Sequence, residues 1–423
     1  MIVVTTVMAT LAIAPAPLSG AAVSVPRVTQ VRASTTTSSV TLSWRDPRSG
    51  SFTGVVVRRA PGLVAPSLTG GQVVARFGAS SEKFVDTSVS ASQAYSYSLF
   101  AYRGSHYARA VGINVDTPAD SVKVLSDSSY GFDGPIAITQ DSGDAWVANA
   151  FGNSVSEIDE ATGNVVQVLD SPSYGFDGPI AIAADGTNVW VANFNGNSVT
   201  EFAEATGALV QVYTYGYGFN APDTVTVDGS VIWVANADAD TVTEINTATG
   251  AVIRVVRGAG YLLDDPVAAY SDGANLWVVN ANGSTVTEIN EATGGLEQVL
   301  EAADYGFSEP SSITASGSDL LVTNVDSNTV TEISETNGAL VRQLGGEGYD
   351  FVDPVAVATQ GGDAWILDSS DDTVTEVNVA SGALVDRTSG PSYDFKDPLN
   401  VALIDNNVWV LNTVGNTVTQ FSP

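Results

Sequence analysis

Carboxylates are the only chemically versatile side chains that this chain holds in number. Among its 423 residues, 47 are Asp or Glu, 16 are Lys or Arg, one is histidine (His106) and none is cysteine. A thiolate metal site and a disulfide framework are therefore excluded. No histidine follows residue 107, so no Ser-His-Asp or Cys-His arrangement can form in the larger part of the chain. What remains is cation binding, recognition of basic partners, or paired-acid hydrolysis. The acids fall into two kinds. Glu157, Glu201, Glu244, Glu288, Glu332 and Glu376 recur at near-constant spacing. A catalytic acid does not need six copies, so these are expected on the outer, wetter part of each repeat as solvated charge. Other acids occur in only some of the repeats, and a fully symmetric set of copies cannot single out one site. Asp265, Glu309, Asp353 and Asp397 each precede a proline, Asp238 and Asp240 follow Asn236, and Asp368, Asp371 and Asp372 share one short stretch.

Carboxylates held close together favour a neutralising cation or a basic partner. Asp368, Asp371 and Asp372 are thus the first candidate calcium ligands, and Asp238 and Asp240 the second. The four acids before proline are candidate ligand contacts. The i, i+2, i+4 spacing of Asn236, Asp238 and Asp240 starts like a calcium loop, but Thr241 stands where an EF-hand needs glycine and Thr247 where it needs glutamate. The competing reading is that Asn and Asp in tight hairpins make Asx turns.

The elements that must position these acids are short strands. Tyr130, Tyr174, Tyr217, Tyr261, Tyr305, Tyr349 and Tyr393 recur every 43 or 44 residues. Between them sit four β-rich runs, as in "PIAIAA", "VWVAN", "SVTEF" and "ALVQVY", with Gly, Asn and Asp turns. That period with that content predicts propeller blades. The seventh unit lacks its fourth strand, and an orphan copy, "SVKVL" (Ser121 to Leu125), precedes the first tyrosine. Pairing the orphan into the last blade removes both open edges, which predicts a seven-bladed ring closed by its N-terminal strand. The indoles Trp146, Trp190, Trp233, Trp277, Trp365 and Trp409, with Leu321 in the remaining copy, are read as packing between blades rather than a sugar platform. Gly163 and its equivalents are expected to supply a positive φ between the third and fourth strands.

Charge divides the chain. Residues 1–119 carry a net of +6 and residues 120–423 a net of −37. The acidic field repels nucleic-acid phosphate and anionic lipid, so nucleic acid is not an expected partner. The apolar run Met1 to Ala14, followed by prolines and small residues to Ala22, reads as a cleaved export leader over residues 1–22, although no Lys or Arg precedes it. It is too short to span a bilayer, and no other transmembrane candidate follows.

Residues 26–117 alternate as short strands in "SSVTLSW", "GVVVRRA" and "AYSYSLFAYR", as a small β-sandwich does. Trp44, and Tyr95 flanked by Val89 and Ala101, resemble a fibronectin type III domain, with Tyr95 as its tyrosine corner. "RGSH" (Arg103 to His106) lacks the acid of that family's adhesive tripeptide, and His106 is read as a solvated loop residue. Over residues 120–423, "WVANAFGNSVSEIDEATGNVV" resembles the YVTN-type repeat, and the lead-in "P-x-x-I-A-x-D-G" is similar to NHL and streptogramin-lyase propellers. The lyase resemblance implies a histidine base with magnesium, and that histidine has no counterpart here. The expected function is an exported or cell-surface binding module, adhesive in character and monomeric. One loop face would take an extracellular protein or glycan, with calcium as a possible cofactor. The alternative is a metal-assisted lyase or a carboxylate-based hydrolase.

Overall fold

The computed structural model describes residues 24–36, 39–47, 52–79, 81–90, 93–117, 122–346 and 348–422. The expected leader, the link at 118–121 and Ser121 of the orphan strand lie outside them. Two compact units result: the first runs to Val122 and takes in Asp386–Tyr393 and the residues from Phe421 on, and the second comprises Lys123–Val385 and Asp394–Gln420. No helix among the described residues is long and apolar enough to cross a membrane.

The first unit contains two antiparallel sheets around one apolar core. Strands β1 (Thr29–Thr36), β2 (Ser39–Arg45) and β5 (Lys83–Asp86) form the smaller sheet. The larger contains β3 (Gly54–Pro61), β4 (Gln72–Gly78), β6 (Gln93–Arg103), β7 (His106–Tyr107) and β8 (Val111–Thr117). Strand alternation turns Val40, Leu42 and Trp44 inward against Val55, Val57, Tyr97 and Leu99. The Ser90 amide donates to the Tyr95 hydroxyl at 3.0 Å, five residues upstream of that ring. His106 is exposed at the start of β7.

The second unit is built of four-stranded antiparallel sheets, six of them made from consecutive strands. In sheet one these are Pro135–Asp141, Asp144–Asn149, Ser154–Asp159 and Val165–Leu169. Five further sheets repeat the order. In sheet seven, Pro398–Ile404, Asn407–Asn412 and Thr417–Phe421 are completed by β9 (Lys123–Leu125), whose Leu125, Val124 and Lys123 oppose Val418, Thr419 and Gln420. First strands of successive sheets pack on one another, and that of sheet seven packs on that of sheet one. The series therefore closes, and this part of the chain is a β-propeller.

Apolar clusters lie between neighbouring sheets. Trp190 packs against Ile232, Val234 and Ile245 of sheet three, and Trp409 against Ala145 and Val147 of sheet one across the seam. Five indoles are at most 1% exposed and Trp365 is 5% exposed, so none is open to a sugar. Burying each contributes about 2–3 kcal/mol. Polar bonds tie the same junctions. The Tyr174 hydroxyl donates to the Gly207 carbonyl at 2.5 Å, and the same bond recurs 33 residues apart from Tyr130 through Tyr349. Gly207 has φ +66°, and its missing side chain leaves room for Gln167 of sheet one.

The repeated glutamates correct an expectation. Glu157, Glu201, Glu244, Glu288 and Glu332 are between 1% and 7% exposed, not solvated. Long side chains of the fourth strand fold over them. Gln167 and Gln298 donate to Glu157 and Glu288 at 2.5 and 2.6 Å, and Tyr213 to Glu201 at 2.5 Å. Arg254 and Arg342 pair with Glu244 and Glu332, each at 2.6 Å. Each arginine also donates to a turn carbonyl of the following sheet, Ala292 or Ala380, at 3.2 Å. These acids are thus held inside their own sheets, and in sheets three and five the covering arginine carries the tie to the next sheet.

Candidate functional site

In every sheet the start of the first strand, the end of the second and the start of the third lie together, as Pro135 opposite Asn149 and Asn149 opposite Ser154 show. The links at this end carry Asp238, Asp240, Asp265, Glu309, Asp353, Asp371, Asp372 and Asp397. Two left-handed residues organise them. One ends the second-to-third link: Asn153, Asn197, Asp240, Ser284, Asn328, Asp372 and Asn416, with φ between 49° and 54°. The other precedes the proline of the following first strand. In six of these seams the side-chain oxygen of the first accepts from the amide of the second in the next sheet, as Asp240 does from Asp265 at 3.1 Å, Asn328 from Asp353 at 2.8 Å and Asp372 from Asp397 at 3.1 Å. Asn416 closes the seam by accepting from Gly134 at 2.8 Å.

This frame separates the acids. Asp240 and Asp372 each have an oxygen engaged in the seam, the Asx role that competed with calcium. Asp368 is not in a loop: it ends a second strand, fully buried, where other sheets have Asn149, Asn193 or Asn236. Its carboxylate accepts from the Val352 amide at 3.2 Å and the Thr375 hydroxyl at 2.8 Å. Asp371 is exposed. Among the described residues no three His, Cys, Asp or Glu side chains converge on a point where a metal ion could be held. The donor set expected for calcium is thus dispersed, and the residues do not fit that ion.

The acids before proline do come together electrostatically. Their positions are filled by Gly134, Gly178 and Ala221 in sheets one to three and by Asp265, Glu309, Asp353 and Asp397 in sheets four to seven. All four acids adopt φ between 50° and 60° or just below, with Glu309 at 49°. Glycine reaches that conformation freely, whereas an L side chain is disfavoured by about 1 kcal/mol. Burial, then Asp264, Asp238 and Asp240, raise the Asp265 carboxyl above its usual range. Burial, then Asp326, Asp265 and Asp353, raise Glu309. Burial, then Asp371 and Asp397, outweigh the seam hydrogen bond and raise Asp372. The Ser370 hydroxyl donates to Asp353, and Ser369 to Asp397 at 3.2 Å. A continuous acidic arc results, running from the Asp238 link to Asp397.

Three features were missed from sequence. Asp223, half-buried on the first strand of sheet three, stands where other sheets carry Ile136, Ile180, Val267 or Val355; burial and then the Asp265 charge push its carboxyl up to about 7. Alignment of the repeats shows that departure. Beside the arc, a groove of about 950 Å³ between the links of sheets three and four is lined by Gly216, Gly218, Asp240, Arg257, Leu262 and Asp264. Opposite in character, Phe151 and Val414, 67% and 66% exposed, occupy the links of sheets one and seven. Phe151 lies over Gly134, where a Cβ would sit 2.5 Å from its ring.

The other end of the sheets carries a second set of acids. Asp185 and Asp272 accept from the indoles of Trp190 and Trp277 at 3.0 and 3.1 Å. The matching Asp141 and Asp228 instead meet Glu204 and Glu291 of the next sheet. Both glutamates are buried. Burial first, with the Asp228 and Asp272 charges behind it, raises Glu291 to about 7.

No family model and no curated protein sequence matches the chain. Solved structures do. A streptogramin B lyase is 15% identical with a TM-score of 0.59 over 71% of this chain and 96% of its own. Virginiamycin B lyase from Staphylococcus aureus is 16% identical with a TM-score of 0.58 over 71% and 98%. The Myceliophteria thermophila Cps50 (Swd1) β-propeller domain is 11% identical with a TM-score of 0.59 over 72% and 100%. At such identities the likeness concerns the propeller fold alone.

Proposed function

We propose that the chain is an exported or cell-surface binding protein: a seven-bladed propeller of YVTN/NHL type behind a fibronectin type III-like sandwich, taking an extracellular protein through its acidic loop face. Seven four-stranded sheets in a closed series support the blade number, and the Tyr95 hydroxyl bond supports the sandwich family. The observation that carries the function is the run of four carboxylates before proline, kept in a conformation that glycine fills in sheets one and two. Turn geometry alone does not account for Glu309 there. Neighbouring carboxylates raise the pKa values of Asp265 and Glu309, and a cationic partner relieves such repulsion. The apolar Phe151 and Val414 on the same end add contact area for a polypeptide segment that carries both Lys or Arg and apolar side chains.

Isothermal calorimetry with a Lys/Arg-rich peptide at low ionic strength tests this reading. The expected outcome is binding that weakens at least about tenfold in the combined variant Asp265→Asn, Glu309→Gln, Asp353→Asn, Asp397→Asn. Heat from a neutral glycan series, with none from the peptide, would move the assignment to a glycan ligand.

A further inference from the structure

The acidic arc needs a basic counterpart, and the chain itself carries one. In the sheet of β1, β2 and β5, Val31, Ala33, Val40, Leu42 and Trp44 point inward and are buried. Alternation sends the remaining side chains outward. The register sets Arg32 opposite Ser43 and Ser43 opposite Lys83, so two cations flank a hydroxyl across the three strands. Arg45 lies further along β2, its Nε donating to Gln30 at 3.1 Å. Arg32, Arg45 and Lys83 are all exposed. The only acid on these strands, Asp86, faces inward, 3% exposed, and pairs with Arg59 at 2.9 Å. The outward face is therefore basic without compensation from its own strands.

We propose that this face docks on the acidic arc of a second copy of the chain, head to tail. The inference rests on the reading of the arc as a site for a basic partner. Charge complementarity favours this occupant, since residues 1–119 carry +6 and residues 120–423 carry −37. The exposed face of β1, β2 and β5 and the arc are different surfaces. Their contact is thus heterologous and can propagate from copy to copy rather than stop at a symmetric pair. It is made of exposed charges and is screened by salt. The monomer expected from sequence then describes the chain at high ionic strength.

Sedimentation of the full chain at about 20 mM and about 300 mM salt tests the proposal. At low salt the weight-average mass is expected to rise with concentration to at least about twice the 43.6 kDa of one chain, and to return to that value at high salt. Two charge-reversed variants are each expected to stay single, Arg32→Glu/Arg45→Glu/Lys83→Glu and Asp265→Lys/Glu309→Lys/Asp353→Lys. An equimolar mixture of the two is expected to associate, because each restores the complement that the other lacks; circular dichroism checks that both fold. A parent chain of constant mass at low salt overturns the proposal, as does association that survives the first variant. If the Lys/Arg-rich peptide still binds a chain that does not self-associate, the arc remains a basic-partner site and only the self-docking falls. If neither occurs, both readings fall.

Discussion

Glu309 illustrates how a single residue separates turn-making from function. It sits at φ 49°, exposed, among Asp326, Asp265 and Asp353. Replacing it with glycine removes backbone strain and a like charge together. Glu309→Gly is therefore expected to hold or raise stability, by up to about 1 kcal/mol, while weakening binding of the basic peptide. Denaturant melts and calorimetry on the same samples check both halves; a clear loss of stability would show that the side chain serves the turn. The acids before proline were legible in the sequence because each repeat can be laid on the next. The roles of Asp368 and of the repeated glutamates were not. Asp368 replaces an asparagine three residues after the repeated indole, but that this position is a buried strand end rather than part of the loop is known only from the structure. Each glutamate is covered by a partner whose type changes from Gln167 to Tyr213 to Arg254, so no pairing pattern marks it.

At the scale of the element, the junctions between sheets are where protonation matters. Glu291 in sheet four, raised to about 7 chiefly by burial and also by Asp228 of sheet three and its own Asp272, holds its proton more tightly folded than unfolded. Its contribution is complete below the unfolded value of about 4.3 and is lost as pH rises through about 7. Between pH 5 and pH 8 the second unit is expected to lose about 2 kcal/mol from this junction. Asp228→Asn removes the charge and supplies an amide donor, so its melting temperature should depend less on pH than the parent's. Equal slopes in the two proteins would assign the pH effect to the general acidic field. Strand period, turn glycines and indole spacing were readable along one repeat. These contacts were not, because they join Asp228 to Glu291 across two repeats, with the spacing set by how adjacent sheets meet.

For the whole molecule, the last sheet is completed by the three residues of β9. β9 contributes Leu125 to the apolar cluster of Trp409, Leu411 and Val418, and the Lys123 ammonium donates to the Thr162 carbonyl of sheet one at 2.6 Å. A chain beginning at residue 127 is expected to melt at a clearly lower temperature than one beginning at residue 119, since only the former leaves the Thr417–Phe421 edge unpaired. Equal midpoints in differential scanning calorimetry would remove the closure from the account of stability. The closing strand was legible because it copies the fourth strand of the other repeats and stands out of place.

That strand also orders events in time. A ribosome delivers β9 before any strand of the sheet to which it belongs, and its partner Thr417–Phe421 after all the others. Six sheets can hydrogen-bond as they emerge, while Lys123–Leu125 waits and the indole of Trp409 has yet to be made. The interval during which the ring stands open is set by the rate of translation, and shielding that transient edge becomes a task for whatever escorts the nascent polypeptide.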